Sequence, residues 1–274
     1  MHNYQRIRRE LEAFLPSVGE RVLELRRTAE KDPKFTQQKK DGTLRSKGDT
    51  ASQRLIWQWI EDHFPGDSIK AEEKSREKIA GPHTWIVDPI DGTYNYVEFN
   101  AKFSISVGLV ESNIPRVGVL YFPAEKVTIS AAEGKGAWMN DQPLILFEGK
   151  TSLSRAFING VNTVRFADYF AQPHFKLPLE QQSRLPMQQL PLPGVEASFT
   201  FTFWKMLEGH TDAIMHPGAM PYDIAAMSAI ARELKWPVSG YCGEPIDFTP
   251  KYIPVVISRS TPLYHKIIRK MNPS

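Results

Sequence analysis

The stretch WIVDPIDGT, residues 85–93, decides the fold of this 274-residue chain. An apolar run ends in Asp88, and a second carboxylate, Asp91, follows within the same turn. The intervening proline restricts that turn, and the glycine after Asp91 permits a close backbone approach or an unusual dihedral angle. We predict that a hydrophobic strand ends here and that Thr93 caps a short helix, whose first amides point at whatever the carboxylates hold.

Two carboxylates forced this close together repel each other unless a cation lies between them. Hard oxygen ligands favour Mg²⁺ over zinc, and the sequence pattern offers no histidine and cysteine ligand cluster. Taken alone, such a turn is more often only a structural helix cap. Two further acidic segments change that balance, because each of them is placed where it can join the same site.

The first of these segments places Glu72 and Glu73 just before the strand, and the second opens a later helix with Asp223. Ala225 and Ala226 follow Asp223, and their small side chains allow that end of the helix to pack close to a neighbouring element. We therefore expect Asp223 to reach the carboxylates of the strand.

The periodicity of apolar residues predicts helices and strands in both halves of the chain. A long amphipathic helix runs from Ile7 to Leu25, with Pro16 as a kink or boundary, and Asp49-Thr50 is expected to cap a second helix. Strands follow from about residue 84 as an antiparallel meander, with a hairpin turn at Gly134-Lys135-Gly136. Further strands are predicted near 155–159, 212–215 and 254–257, and further helices near 199–208, 221–234 and 261–270. This order indicates a layered α+β or αβαβα architecture.

Composition narrows the classes of protein. The hydrophobic content of 41% and charged content of 24% are ordinary for a globular protein, and no apolar run is long enough to span a bilayer. A charged N-terminus and one cysteine, Cys242, which we expect to be buried, favour a cytoplasmic protein. The basic segment from Lys31 to Lys47 has too few aromatic residues for nucleic-acid binding, so it is either a solvated loop or a loop that closes over an anionic substrate.

These segments, in this order, resemble the inositol monophosphatase family of the lithium-sensitive sugar-phosphatase superfamily. Besides the WIVDPIDGT core, the resemblance includes Lys40-Asp41-Gly42 leading to Asp49, the hairpin at 132–137 with Asn140, and the closing stretch 254–260. It covers nearly the whole chain. It implies one domain over residues 1–274, an αβαβα sugar-phosphatase sandwich with a metal-site half at 1–150 and an α/β half at 151–274, and a homodimer.

The resemblance also implies a Mg²⁺-dependent phosphomonoesterase that uses metal-activated water and is inhibited by Li⁺. Glu72, Asp88 and the carbonyl of Ile90 are then expected to hold a first Mg²⁺, and Asp88 to bridge to a second that Asp91 and Asp223 complete. A third, weaker ion is expected at Glu72, with a water held by Asp49.

The resemblance assigns catalytic roles to Asp49, Glu72 and Thr93, with Thr93 and Asp49 orienting the attacking water and helping to deprotonate it. It gives substrate contacts to Asp91, Gly92, Thr93, Ala197, His216 and Asp223. Ala197 and His216 depart from the family pattern, which commonly has glycine and glutamate there. A histidine at 216 is either a substrate contact or a surface residue beside Pro217-Gly218, so the alcohol of the substrate stays open.

The expected partner is a small phosphorylated metabolite similar to inositol monophosphate, with no nucleic acid or membrane involved. A 3′(2′),5′-bisphosphate nucleotidase or a fructose-1,6-bisphosphatase is the alternative within the same chemistry. A metal-binding scaffold with weak or no catalysis is the alternative of another class, although a decaying enzyme should already have lost some of these ligands.

Overall fold

The structure is a computed structural model that describes residues 2–29, 32–40, 42–73, 81–144, 157–158, 164–165 and 198–272. The helices within these ranges are α1 (Tyr4–Arg27), α2 (Lys47–His63), α3 (Thr93–Phe99), α4 (Phe199–Leu207), α5 (Pro221–Glu233) and α6 (Thr261–Met271). The strands of the first half are β1 (Thr36–Gln38), β2 (Leu44–Ser46), β3 (Ser68–Ala71), β4 (His83–Asp91), β5 (Ser104–Glu111), β6 (Ile114–Phe122), β7 (Val127–Ala132), β8 (Ala137–Met139) and β9 (Gln142–Pro143). Those of the second half are β10 (Phe157–Ile158), β11 (Val164–Arg165), β12 (Ala213–Ala219), β13 (Val238–Ser239) and β14 (Ile253–Ser258).

Two larger sheets organise the described residues. The first has seven strands in the order β3-β4-β5-β6-β7-β8-β9, and only the β3–β4 pair in it is parallel. The second has five strands in the order β11-β10-β12-β14-β13. The predicted meander is therefore confirmed, and so is the hairpin turn between β7 and β8, where Gly134 and Gly136 adopt positive φ angles of 69° and 78°.

Helices and sheets alternate in five layers. Helices α1 and α2 cover one face of the seven-stranded sheet, α4 and α5 fill the space between the two sheets, and α6 covers the outer face of the five-stranded sheet. Alternate residues of β14 show this clearly, because Val255 and Ile257 pack with α5 while Val256 packs with Leu263 and Ile267 of α6. The predicted α+β sandwich is confirmed.

The N-terminal helix continues through Pro16, so of the two predicted alternatives, a kink or a boundary, the boundary is wrong. A proline inside a helix removes one backbone hydrogen bond. The loss is offset by packing, because Leu11, Leu15 and Val18 are completely buried on either side of the proline and hold the helix against the sheet.

The cap of α2 also differs from the prediction. Ser46, not Asp49 or Thr50, is the N-cap residue, and Asp49 lies three residues inside the helix. Asp49 instead completes a capping box, because its carboxylate accepts hydrogen bonds from the amide and the hydroxyl of Ser46. The aspartate is thus fixed by the helix terminus rather than facing solvent.

Two further expectations are tested by position and burial. The basic segment is not a loop throughout, because it contains the β1–β2 hairpin. Cys242 is exposed, contrary to expectation, because it lies in the turn that follows β13.

The described part of the chain has no helix with the length and apolar character that crossing a membrane requires.

Two glycines allow α5 to lie directly on the seven-stranded sheet. A Cβ atom built on Gly108 of β5 would lie 2.9 Å from the Cβ of Ala225, and one on Gly118 of β6 would overlap the carbonyl oxygen of Ala226. The small residues after Asp223 therefore do bring this helix close to a neighbour, as the sequence indicates. Because the obstacle at Gly118 is backbone, a side chain there can be accommodated only by moving the helix.

We expect Gly118→Ala to lower the free energy of unfolding by about 2–3 kcal/mol, since the added methyl group displaces α5 from the seven-stranded sheet. Chemical denaturation followed by circular dichroism measures this change. Gly66→Ala is the matched control, because no atom lies within 4 Å of its Cβ position, and we expect it to change stability by less than about 0.5 kcal/mol. Equal stability of the two variants would show that the α5 contact is not tight.

Candidate active site

The C-terminal end of β4 forms the centre of the site. The pairing of β4 with β5 shifts in register between Asp88 and Asp91, where Pro89 lacks an N–H group for the ladder. The carbonyl of Pro89 accepts a hydrogen bond of 2.8 Å from Ser52 of α2, which fixes the irregular turn. In a regular strand, two residues three positions apart point their side chains to opposite faces. The shift in register turns the carboxylates of Asp88 and Asp91 toward the same space.

Gly92 follows Asp91 with a φ of 85° and is the N-cap of α3, so the predicted capping role of Thr93 was wrong. A Cβ atom at position 92 would lie 3.1 Å from the Cβ of Ser198, which adds a close contact to the unfavourable backbone angle. Thr93 is the first residue of the helix, and its side chain is left to bond elsewhere in the site.

Asp88, Asp91 and Asp223 form one carboxylate group, in which one oxygen from each lies within 4.8 Å of the others. Asp88 and Asp91 are only 2% and 5% exposed. Burial is the largest cause that raises the pKa of all three, and the charges of neighbouring acids raise those of Asp88 and Asp223 further. Without a cation, this arrangement therefore disfavours full ionisation of the three side chains.

Asp91 is held by the start of α4. Its Oδ2 accepts hydrogen bonds of 2.5 Å from the hydroxyl of Ser198 and 2.9 Å from the amide of Thr200, and the hydroxyl of Thr200 donates to the same oxygen. The amide of Phe199 donates to Oδ1 at 3.3 Å. These donors favour the charged carboxylate and oppose the effect of burial on its pKa.

Asp223 lies in the first turn of α5. Its Oδ2 accepts a hydrogen bond of 2.6 Å from the amide of Met220, the residue before the helix. The close contact of α5 with Gly108 and Gly118 sets how far this helix end extends toward β4. Asp223 is the carboxylate that the second half of the chain contributes, and the packing of the α5 backbone on the sheet sets its position.

A second carboxylate group is formed by Asp49, Glu72 and Glu73. The side chain of Lys39 lies against its two glutamates. The Lys39 Nζ atom lies 2.7 Å from Glu72 Oε1 and 2.5 Å from Glu73 Oε1. Burial lowers the pKa of Lys39, but the two glutamates outweigh this effect and leave it raised, so the lysine stays charged. Burial and neighbouring acids raise the pKa of Glu72 to about 7 even with the lysine beside it.

The two carboxylate groups influence each other electrostatically. After burial, the charge of Glu72 is the largest cause that raises the pKa of Asp88, followed by the charges of Asp91, Asp223 and Asp49. We therefore treat them as one acidic centre with two parts, built by β4 and α5 on one side and by α2 and the β1–β2 hairpin on the other.

Thr93 joins these parts through its hydroxyl. It lies 3.0 Å from Asp49 Oδ1 and 3.2 Å from the carbonyl oxygen of Ile90. The other oxygen of Asp49 accepts from the amide and the hydroxyl of Ser46 at 2.7 and 2.5 Å. Burial raises the pKa of Asp49 to about 6, although these hydrogen bonds oppose the shift, so its carboxylate is ionised at neutral pH.

The structure brings most of the predicted site residues together. Those in contact with the acidic centre are Asp49, Glu72, Asp88, Ile90, Asp91, Gly92, Thr93 and Asp223. Ala197 lies outside the described residues, as does Asp41 of the Lys40-Asp41-Gly42 segment.

His216 was expected either at the surface or at the substrate, and the surface interpretation is wrong because the residue is only 4% exposed. It lies on β12, where its Nδ1 accepts a hydrogen bond of 3.1 Å from the amide of Gly218. Its ring packs edge-on against Phe199 at 5.0 Å, and the amide of Phe199 bonds Asp91. Its contact with a substrate stays a prediction.

Three further residues contribute to the site but were not predicted from the sequence, namely Lys39, Glu73 and Thr200. Glu73 stands beside Glu72 and was noted only as part of an acidic pair. The amide of Gln53 donates to its carbonyl and accepts from its N–H, and these bonds fix its backbone. A sequence signal existed for Thr200, because the pattern Ser-Phe-Thr opens α4 with two hydroxyl residues.

The sequence is similar to that of known proteins. The model of the inositol monophosphatase family matches residues 8–272. A fructose-1,6-bisphosphatase/inositol-1-monophosphatase of Thermotoga maritima is 32% identical over 196 residues, which cover 72% of this chain and 71% of that protein. A histidinol-phosphatase of Chlorobaculum parvum is 27% identical over 198 residues, covering 71% of each chain.

The fold is also found among solved structures. A crystal structure of an IMPase/NADP phosphatase complexed with Mg²⁺ and phosphate superposes with a TM-score of 0.74 at 22% identity, covering 100% of this chain and 97% of that one. Together with the match to the family model over nearly its whole length, this establishes that the chain belongs to the inositol monophosphatase family, a family of phosphatases.

Proposed function

We propose that this protein is a Mg²⁺-dependent phosphomonoesterase that hydrolyses a small ester similar to inositol monophosphate. The observation that carries the proposal is the grouping of the buried Asp88 and Asp91 with the partly exposed Asp223, all within 4.8 Å of one another, beside a threonine hydroxyl bonded to a fourth acid. Like charges held this closely need a cation to stay ionised. Family membership supports phosphatase chemistry, and the geometry supports its assignment to these residues.

The donor set fits Mg²⁺. Asp88, Asp91 and Asp223 offer only carboxylate oxygens, and Ile90 adds a backbone carbonyl at the same turn. Mg²⁺ prefers oxygen ligands and binds through few carboxylates together with substrate phosphate and water. When bound there, Mg²⁺ supplies positive charge that neutralises the phosphate and acidifies water. We propose Glu72 as a further ligand, which requires it to exchange its contact with Lys39 for the cation.

The chain itself provides a path for the proton of the attacking water. Thr93 Oγ1 donates to Asp49 Oδ1, and its lone pairs are then available to accept from a water molecule on the other side. As the water loses a proton to Thr93 Oγ1, the threonine passes its own proton to Asp49 Oδ1. The pKa of about 6 for Asp49 suits this role, because the group is ionised before the step and basic enough to take the proton.

Phosphate is expected to lie against the start of α3. We propose that the amides of Gly92 and Thr93 donate to its oxygens, since the positive φ of Gly92 ends the strand and starts the helix at this point. For the alcohol, His216 is the proposed contact. It is positioned by Phe199 next to the residues that hold Asp91.

The choice of substrate has a second candidate, a sugar bisphosphate such as fructose 1,6-bisphosphate. It is favoured by the name of the Thermotoga relative, which combines fructose-1,6-bisphosphatase and inositol-1-monophosphatase. The name of the Chlorobaculum relative adds histidinol phosphate as a third ester to test. A bisphosphate nucleotide completes the panel, since all four share the same phosphoryl chemistry.

Phosphate release from inositol 1-phosphate, fructose 1,6-bisphosphate, histidinol phosphate and adenosine 3′,5′-bisphosphate tests the proposal, with and without Mg²⁺. We expect Mg²⁺-dependent release from at least one ester and a loss of roughly 10³-fold or more in kcat/KM for Asp88→Asn, because one charge of the central group is removed. Asp62→Asn, an exposed acid of α2, is the matched control and should behave as the wild type. Wild-type activity of Asp88→Asn would rule out this site.

Removal of metal should make stability depend on pH. The pKa values of about 6 for Asp49 and about 7 for Glu72 lie above their ordinary values of 3.8 and 4.5, so the folded protein holds these protons more tightly than the unfolded chain. The stability that they contribute is present at pH 4 and is lost as the pH rises to about 7. Above that pH, Mg²⁺ should restore the free energy of unfolding.

Urea denaturation of wild type and Asp88→Asn, in EDTA and in Mg²⁺, measures this effect. Without metal, we expect Asp88→Asn to be the more stable protein at pH 8, by an amount that shrinks toward pH 5, because the raised pKa of Asp88 marks an unfavourable charge. Mg²⁺ should reverse the order. Equal stabilities at all pH values without metal would contradict the repulsion that we describe.

Thr93 and Asp49 should act as a unit. We expect Thr93→Val and Asp49→Asn each to lower kcat by about 10²–10⁴-fold, and the double variant to be no slower than the worse single one, because either change interrupts the same proton path. The activation constant for Mg²⁺ should change less than kcat in Thr93→Val. Additive losses in the double variant would show that the two residues act independently.

A further inference from the structure

A second group of metal-binding residue types lies at the opposite end of β4 from the carboxylate centre. His2, Asp67 and His83 each offer one ligand atom, and these atoms all lie within 4.8 Å of one another. His2 precedes α1, Asp67 lies between α2 and β3, and His83 begins β4. The side chains are 17%, 7% and 17% exposed, so the group is largely withdrawn from solvent.

The distances combine one hydrogen bond, between His2 and Asp67, with a longer gap that suits a shared ion. His83 Nδ1 lies 3.6 Å from Asp67 Oδ1, which is too long for a hydrogen bond. Two ligands on one tetrahedral zinc ion, each about 2.0–2.1 Å from the metal, lie about 3.4 Å apart. His2 Nε2, at 2.7 Å from Asp67 Oδ2, is close enough to join them through a small ring rotation.

The outer nitrogen of His83 is already fixed by a carboxylate. Its Nε2 lies 2.9 Å from Glu111 Oε1, and Glu111 in turn bonds the hydroxyl of Tyr4 and the guanidinium of Arg116. Histidines that bind metals commonly donate their second N–H to a carboxylate in this way, which leaves the other nitrogen with a lone pair for the ion. Here that nitrogen is Nδ1, which faces Asp67.

Asp67 is oriented by a buried tryptophan. The indole Nε1 of Trp85 donates to Asp67 Oδ2 at 2.8 Å, and Trp85 itself is completely buried. The carboxylate therefore cannot turn freely, and its Oδ1 stays directed toward His83. A fixed ligand loses little conformational entropy when an ion binds.

The two imidazole rings stack at a centroid distance of 3.9 Å, and His2 also stacks on Phe64 at 5.1 Å. Neutral imidazole is the form that binds a metal. Nitrogen ligands suit Zn²⁺ and other late first-row ions, whereas Mg²⁺ prefers oxygen alone.

We propose that His2, Asp67 and His83 form a Zn²⁺-binding site that ties the segment before α1 to the start of β4. The ligand atoms are His2 Nε2, a carboxylate oxygen of Asp67 and His83 Nδ1, with water as the fourth ligand. The proton that His2 Nε2 shares with Asp67 leaves it on binding, either to solvent or to His2 Nδ1. No bond to carbon or phosphorus changes, and the proposed effect of the ion is to link these two segments.

This site is separate from the proposed phosphatase centre. His83 and Asp88 are five residues apart on one extended strand, which places them about 17 Å from each other. The inference does not rest on the proposed function, and either can fail without the other.

Isothermal titration of the full chain with Zn²⁺, in the presence of saturating Mg²⁺, tests the proposal. We expect one ion per chain with a dissociation constant of about 1 µM or tighter. Co²⁺ bound there should give the intense visible absorption of a four-coordinate ion, which six-coordinate Co²⁺ at the carboxylate centre does not give. Zn²⁺ at 100 times its dissociation constant should raise the melting temperature by about 4 °C or more.

Three variants locate the ion. His83→Gln should weaken binding at least about 100-fold and remove the Co²⁺ spectrum, and Glu111→Gln should weaken binding by about 10–100-fold by releasing the ring of His83. His63→Ala, an exposed histidine of α2, is the matched control and should bind as the wild type. An unchanged circular dichroism spectrum of His83→Gln would show that the variant is folded.

Absence of stoichiometric binding to the wild type overturns the proposal. Binding that survives His83→Gln also overturns it, and so does binding that is lost in Asp223→Asn, because the ion would then lie at the carboxylate centre.

Discussion

Repulsion between buried carboxylates is the constraint around which this molecule is built. Asp88, Asp91 and Asp223 lie within 4.8 Å of one another, and Glu72 adds its charge to the same region. The fold offsets part of this cost with directed dipoles and with the charge of Lys39. Amide and hydroxyl donors of α4 bond Asp91, the amide of Met220 bonds Asp223, and Lys39 lies between Glu72 and its neighbour. The electrostatic repulsion that these groups do not offset favours the binding of a metal cation.

Each part of that centre comes from a different layer, so its geometry depends on how the layers are stacked. Strand β4 supplies two carboxylates, α2 supplies Asp49 through its capping box, and α5 supplies Asp223 from between the sheets. Rigid elements, rather than long loops, therefore set most of the distances. This arrangement suits a reaction in which charges must be placed before substrate arrives, because reorganisation during the step is then small.

Local patterns in the sequence predicted most of the helices and strands, because such patterns extend over short distances, whereas the grouping of distant acids such as Asp49 and Asp223 was expected mainly from the family resemblance. The turn at 85–93 predicts a strand that ends in two acids, and the small residues after Asp223 predict a helix that packs closely on its neighbour. Pairings between distant residues were not predictable in this way. Lys39 and Glu72 are 33 positions apart, and only the hairpin that carries the lysine brings them together.

The wrong predictions from the sequence also had physical causes. The expected cap at Asp49 was displaced to Ser46 because both residue types can accept from helix amides, and the sequence alone does not rank them. Cys242 was expected inside because free cysteine is usually buried, yet the chain turns outward there. The histidine pair at 2 and 83 had no sequence signature, because 81 positions separate its members.

The contact between Gly118 and the backbone of Ala226 has a consequence for reading mutational data on this protein. A screen for inactivating substitutions would score Gly118 beside Asp88, although glycine has no group that can react. The first position is intolerant because volume is forbidden there, and the second because charge is required. A map based only on positions that do not tolerate substitution would therefore include a patch of tightly packed backbone in the active site. Packing positions and active-site positions are distinguished by the kinds of residue that each accepts.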